Sequence, residues 1–313
     1  MLDLSVTEPL WHRVPISKIE DLSDAVMGAG LEATQMSPGG MSGGLAFSEN
    51  NGIVCTSGLI HGRVSLFGPL SHEGVTIGIG LNLAPGTRHW MNDVETGNVG
   101  VFLPGDEHDS MYTEGSLYST VTLSAERLEE EAAARGLVLD RKTLGGTGVH
   151  ARNVSQGSIA RLERMFRRMH DGQPGATDAS AEVLEIAIAH IARLPRCFNI
   201  GTQPGRHGRI VQRARAYIHA NLAEPISVDD VASAALTSRR TLLRAFNEIL
   251  SDTPNRYVRR LRLHRIRRDL ANERERATSI ALIAMQWGMN DIGRMAGWYR
   301  ELFGELPSET RPQ

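Results

Sequence analysis

Cysteine is nearly missing from this 313-residue chain: only Cys55 and Cys197 occur, and neither sits in a Cys-x-x-Cys pair. That excludes a disulfide framework and a cysteine-built zinc cluster. Both residues read as small apolar fillers in a reducing cytoplasm. Lysine is equally scarce, with only Lys18 and Lys142, so cationic chemistry falls to arginine. The planar guanidinium suits bidentate contacts to phosphate and guanine, although a GC-rich genome produces the same bias. No apolar run approaches the roughly 20 residues of a bilayer span. The N-terminal MLDLSVTEPLWHRV lacks the basic and then apolar stretch of a secretory signal. A cytoplasmic location is therefore expected. No Gly-x-Ser-x-Gly elbow is present, which leaves hydrolysis without support. The run Gly39-Gly40-Met41-Ser42-Gly43-Gly44 matches neither phosphate-binding glycine pattern and reads as a flexible loop. No catalytic residue, metal site or cofactor is assigned.

What is present is an ordinary globular composition, 41% hydrophobic and 22% charged, with length for about two domains. The net charge of −2 conceals a division: residues 1–205 carry −9 and residues 206–313 carry +7. Such asymmetry points to a polyanion as partner of the basic region, although solvated helix faces are also often basic.

Residues 1–125 read mainly as strands. Short β-rich runs at Gly52–Thr56, Val64–Phe67, Val75–Leu83, Val99–Leu103 and Leu117–Leu123 are separated by Gly, Pro, Asn and Ser, the spacing of a small sandwich or barrel. Helices are expected at Ser124–Gly136, Gly157–His170 and Ser180–Leu194. In the second, Ile159, Leu162, Met165, Phe166 and Met169 form one apolar stripe. The stripes of the last two helices would serve a homodimer interface or pack on their own barrel. Residues 1–194 thus form one expected domain, Pro195–Gly208 an interdomain linker rich in turn-formers, and residues 209–313 a second, helical domain.

The helical region carries the functional argument. After an amphipathic helix at Arg209–Leu222, Ser227 is placed to cap a short helix, Val228–Ala234, with Asp230 at capping-box spacing. A turn follows at Ala235–Thr237, then Ser238 and a second helix, Arg239–Leu250, burying Leu242, Phe246 and Ile249. A short helix, a tight turn and a second capped helix make a helix-turn-helix. The opposite face of the second helix shows Arg239, Arg240, Leu243, Arg244 and Asn247. Arginine can pair with guanine, asparagine with adenine, and leucine can touch a thymine methyl. Ser238 and the helix N-terminus suit a phosphate. An arginine-rich helix begins at Thr253-Pro254 and runs to about Asn272. A second unit then comprises Ile280–Trp287 capped by Ser279, a turn at Gly288, and Asp291–Phe303. Gly304 ends that helix and Pro307 starts a last short one.

At these residues the chain resembles the AraC/XylS family of bacterial transcription regulators, over about 206–311. The resemblance rests on Ile226-Ser227, Val231-Ala232, Ser238–Leu242, Arg244–Phe246, Pro254, Tyr257, Leu261–Leu263 and Leu270. In the second unit it rests on Ile280, Ile283-Ala284, Gly288-Met289, Asp291, Tyr299-Arg300, Phe303-Gly304, Pro307-Ser308 and Arg311. It implies two units reading successive major-groove segments of promoter DNA, a cupin-like sensor domain for a small-molecule effector, dimerisation through the N-terminal domain in some members, and RNA polymerase as a further partner, with activation the commoner outcome. The second unit departs from the family pattern. Met289 and Met295 stand where phenylalanine is usual, and the DNA-facing positions hold Ile292, Gly293, Ala296 and Gly297. Direct base readout is therefore expected from the first unit, with Arg294 and Arg300 holding phosphates.

Within the β-rich region, a pair of Pro-Gly-x-x-His echoes, Pro85–His89 and Pro104–His108, lie 19 residues apart. They resemble the second cupin motif; the first is absent, so a metalloenzyme fused to a DNA-binding domain is the alternative reading, with His61, His72, His89 and His108 as its weak ligand set. The effector candidates are Trp11, His12, Arg88, His89, Trp90, Glu107, His108 and Tyr112, with Arg88 favouring an anion.

Overall fold

The computed structural model describes residues 11–139, 144–150, 152–173, 179–192, 199–200, 204–272, 274 and 277–311. Lys142, Leu194, Cys197 and half of the expected linker lie outside these. The chain divides into two compact units. One is built mainly from residues up to Thr202; the other takes Gln203–Gln313 with the short segments Thr34–Gly40 and Trp90–Asn92.

The first unit begins with β1 (His12–Ile16), a 3-10 turn (Ile19–Asp24), β2 (Glu32–Gln35), β3 (Ser42–Asn50), β4 (Ile53–His61), β5 (Val64–Pro69) and β6 (Val75–Asn82). It continues with β7 (Arg88–His89), β8 (Asn92–Asp93), β9 (Val99–Phe102), β10 (Glu107–Tyr112), β11 (Ser116–Leu123), α1 (Ala125–Ala134), β12 (Gly148–His150), α2 (Gln156–His170), α3 (Ala179–Ala192) and β13 (Asn199–Ile200). The larger sheet has the order β1-β3-β4-β11-β6-β9-β12-β13 and the smaller β2-β5-β10-β7-β8.

Period-two patterning explains the layers. In β6, Val75, Ile77, Ile79 and Leu81 are buried in a core shared with Leu162 and Phe166 of α2 and Val183, Ile188 and Ile191 of α3. Full burial of each such side chain contributes about 1.5–3 kcal/mol. The helical stripes are thus consumed by the domain's own sheet, the second of the two uses their sequence allowed. The opposite face of β6 presents Gly78 and Gly80 to the cavity described below.

The expected strands are present, but the glycine run is not simply a loop. Ser42–Gly44 already belong to β3, where Gly43 adopts φ 135° and a Cβ would lie 2.0 Å from the Leu59 carbonyl oxygen. Glycine is required there by the close approach of β4, not by mobility.

The second unit is helical: α4 (Arg206–Ala220), α5 (Val228–Ala234), α6 (Arg239–Leu250), α7 (Pro254–Ala271), α8 (Ile280–Gln286) and α9 (Ile292–Phe303). α4 starts three residues before the expected position, inside the stretch read as linker. Pro307–Glu309 form a turn, closed by the Glu309 amide donating to the Leu306 carbonyl, where a short helix was expected.

Candidate nucleic-acid interface

The first helix-turn-helix is assembled by local chemistry. Ser227 and Asp230 close a reciprocal capping box on α5, and Ser238 Oγ accepts the Thr241 amide at 3.3 Å to cap α6. Leu242, Ala245 and Phe246 are fully buried. That fixes the rotation of α6 and turns Ser238, Arg239, Arg240, Leu243, Arg244 and Asn247 outward together, all exposed. Arg239 makes a loose surface pair with Asp229, 3.8 Å apart, of little energetic weight. Arg240 and Arg244 engage no partner among the described residues. They are therefore available to a base or a phosphate without first breaking a protein contact.

The second unit repeats the scaffold with other side chains. Asp291 caps α9 through the Arg294 amide at 3.0 Å. Met289 and Met295 are buried, so the two methionines keep the core role of the family's phenylalanines. Outward lie Gly293, Arg294, Gly297 and Arg300, with Ile292 and Ala296 half-buried. The Arg294 guanidinium folds onto Asp291 at 3.3 Å. A Cβ on Gly297 would meet nothing within 4 Å, and one on Gly293 only the Asp291 carboxylate at 3.7 Å. Neither glycine is demanded by packing.

Four of the seven arginines of α7 are engaged by the scaffold, which the charge count could not reveal. Arg260 pairs with the buried Asp252. Arg267 pairs with Glu305 at 2.6 Å and lies over the Phe303 ring. Arg259 stacks on Trp298 of α9, 4.3 Å from its centroid. Arg262 donates to the carbonyls of Leu222 at 3.0 Å, Glu224 at 2.6 Å and Gly288 at 3.1 Å. It thereby ties the α4–α5 connection of the first unit to the turn of the second. Trp287 adds a bond from its indole N–H to Asp269 at 2.6 Å.

In the β-rich unit the two histidine echoes converge. β7 and β10 pair antiparallel with Ser110 opposite His89, and the His89 and His108 rings meet through Nδ1 and Nε2 at 3.2 Å. Burial drives the His108 imidazole down to about 3 and holds His89 well below 6.5, so both are neutral at physiological pH. Together with Tyr112 they line a cavity that also takes in Phe102, Tyr118 and Thr120. The other effector candidates stand elsewhere. Trp11 packs edge-on against Phe166 at 5.7 Å in the helix-covered core, and His12 and Glu107 are exposed. Arg88 is paired with Asp93 at 2.9 Å, and Trp90 occupies a left-handed turn with φ 45°. His61 faces Glu114, and no group of three or more metal-ligating side chains forms among the described residues. Burial pushes the Cys55 thiol up to about 12, consistent with a filler.

Comparison with known proteins places these observations. A family model described as a helix-turn-helix domain matches residues 231–313. The chain is 36% identical over 99 residues to the XylDLEGF operon transcriptional activator 2 of Pseudomonas putida, spanning 32% of this chain and 63% of that one. It is 37% identical over 102 residues to the XylDLEGF operon transcriptional activator of the same organism, spanning 33% and 32%. A solved regulator with an AraC-type DNA-binding domain from Chromobacterium violaceum is 33% identical, over 33% of this chain and 88% of that one, with a TM-score of 0.31. The chain spans less than two thirds of the length of these curated relatives, and the similarity lies in about a third of its own length.

Proposed function

The C-terminal domain belongs to the AraC/XylS type of double helix-turn-helix DNA-binding domains, and on that premise we propose that the whole chain is a sequence-specific transcription regulator responsive to a small-molecule effector. One observation carries the proposal: α6 presents Arg239, Arg240, Leu243, Arg244 and Asn247 together on the exposed side of a capped, rigidly packed helix. Such a helix enters the major groove with its N-terminal residues toward the bases. Arg240 and Arg244 serve guanine, Asn247 adenine, and Ser238 with Arg239 the phosphate backbone. Arg294 and Arg300 on α9 serve phosphates. The curated relatives named above are activators by name, which supports activation with RNA polymerase as the contacted partner. No helix among the described residues is long and apolar enough to cross a membrane; the proposed site of action is the cytoplasm.

Selection of bound duplexes from a random pool, followed by titration at physiological salt, tests this reading. The expected result is an enriched motif whose bound half is lost from the Arg240→Ala selection. Equal retention of random and selected duplexes at that salt would remove sequence-specific regulation as the function.

A further inference from the structure

The second helices of the two units end differently. The last four carbonyls of an α-helix have no intrahelical donor and take partners from elsewhere. α6 closes on its own chain: Ser251 turns left-handed, and its amide donates to the Asn247 and Phe246 carbonyls. α9 closes that way only in part. Gly304, at φ 79°, returns its amide to the Arg300 carbonyl at 2.9 Å. The next two carbonyls are taken by a segment far upstream. The Gly39 amide donates to Glu301 at 2.9 Å, and the Gln35 side-chain amide donates to Leu302 at 2.6 Å.

Both donors belong to Thr34–Gly40, the segment at the β2–β3 connection that packs as part of the helical unit. Gln35 is 2% exposed and Met36 is 5% exposed, so both side chains are withdrawn from water. The Gln35 amide nitrogen also reaches the Ser37 and Gly39 carbonyls, which folds the segment into a loop around it. Gly39, at φ 90°, holds a backbone conformation that a side chain would strain. Two residues of α7 fix the start of the loop. The Gln35 main-chain N–H donates to His264 Nε2 at 3.0 Å, and Arg260 Nη1 lies 3.8 Å from Met36 Sδ. At the other end Gly40 rests on the helix terminus, its amide nitrogen 3.7 Å from where a Cβ of Gly304 would stand.

A buried glutamine whose amide nitrogen faces three main-chain carbonyls acts as a neutral donor. Methionine would fill the same space and leave those carbonyls without it. We propose that Gln35 and Gly39 form the C-terminal cap of α9, and that Gln35 is thereby a positioning residue for the DNA contacts of the second unit. The proposal rests on the function proposed above, in which Arg300 holds a phosphate; Arg300 stands in the last turn of α9, the turn that this cap closes. The DNA-binding module then includes residues 34–40 beside the helical region.

The test uses the full chain with Gln35→Met, nearly the same in shape but without the donor. Circular dichroism should show a native fold. Hydrogen exchange should show the amides of Gly39, Leu302, Phe303 and Gly304 losing protection at least tenfold, while those of Glu248–Ser251 at the end of α6 stay within twofold. Binding to a duplex carrying both segments should weaken about fivefold, and binding to one carrying only the first unit's segment should hardly change. Gln35→Glu, which sets an acceptor against three others, should exceed both losses. Unchanged exchange at α9 in both variants would overturn the cap. Faster exchange in α6 and α9 alike would also overturn it, because Gln35 would then be a general stabiliser. Local loss at α9 with undiminished binding to the two-segment duplex would overturn the positioning role. A wild-type chain that retains no duplex selectively would overturn the proposed function, and the exchange result would still decide the cap.

Discussion

The two helix-turn-helix units are built on one plan and finished for different tasks. Both second helices are capped by a side-chain oxygen, Ser238 or Asp291, and both bury an aromatic, Phe246 or Tyr299, against the domain. The first unit turns through Leu236 at φ 53° and the second through Gly288 at φ 69°. The first exposes three arginines and an asparagine; the second exposes two glycines and two arginines. The second is also held more elaborately, by Arg259 on Trp298, Arg267 on Glu305 and Phe303, and Trp287 on Asp269. On the proposed function, a scaffold common to both supports reading in one and anchoring in the other.

The largest effect should come from uncoupling the units. Arg262→Ala removes a charged donor shared among three carbonyls, and such bonds contribute about 1.5–3 kcal/mol. The variant should lose about 2–3 kcal/mol by denaturant titration. A duplex carrying both segments should be bound more weakly, and one carrying only the first unit's segment nearly as before. Equal loss on both duplexes would mean that Arg262 stabilises without setting spacing. Next, Arg240→Ala or Arg244→Ala should cost about 1–3 kcal/mol of binding and relax preference at one base pair, whereas Ala296→Arg should change affinity more than preference. A larger change of base preference from Ala296→Arg would reverse the assignment of roles.

Acid offers a third way to separate the units. His264 of α7 is half-buried, its ring edge-to-face with Phe303 of α9 at 5.0 Å between centroids and its Nε2 accepting the Gln35 amide at 3.0 Å. Burial, reinforced by Arg260 and Arg267, drives its imidazole down from 6.5 to about 3. The unfolded chain therefore takes up a proton that the folded one refuses. The stability contributed by the neutral ring is complete above pH 6.5 and drains as pH falls from 6.5 toward 3, at up to about 1.4 kcal/mol per pH unit. Hydrogen exchange should show α9 amides losing protection in that window before those of α6; His264→Phe should flatten the response. The smallest effects concern backbone choice. Gly293→Ala and Gly297→Ala should each add about 1 kcal/mol of stability with little change in base preference. Leu236→Gly should add about 1 kcal/mol by relieving a left-handed leucine. Gly288→Ala should do the reverse, because its Cβ would sit 2.9 Å from the Arg262 guanidinium.

Much of this comparison is legible in the sequence. Caps, turn glycines and 3.6-residue periodicity are local signals, and α5 and α6 fall where Ser227 and Ser238 place them. The outward face of α6 follows from Leu242 and Phe246 alone. The roles of the α7 arginines do not, because Arg260, Arg262 and Arg267 find Asp252, three backbone carbonyls and Glu305 only after the chain folds back on itself. The cavity is half legible. The Pro-Gly-x-x-His turns mark His89 and His108, but Arg88, next to His89 in sequence, is engaged by Asp93, and Trp11 lies in the helix-covered core. Phe102, Tyr118 and Thr120 go unmarked, as ordinary strand residues do. Their signal lies in the Ile-Gly-Ile-Gly alternation of β6, which places two glycines on one face of a strand.

Arg262 has a consequence for redesign. Its acceptors are all main-chain carbonyls, so the clamp is indifferent to which side chains occupy α6 or α9. Outward-facing residues can then be exchanged on either helix, by selection or by engineering, without retuning the distance between the two units. A domain organised in this way can acquire a new target sequence one half at a time.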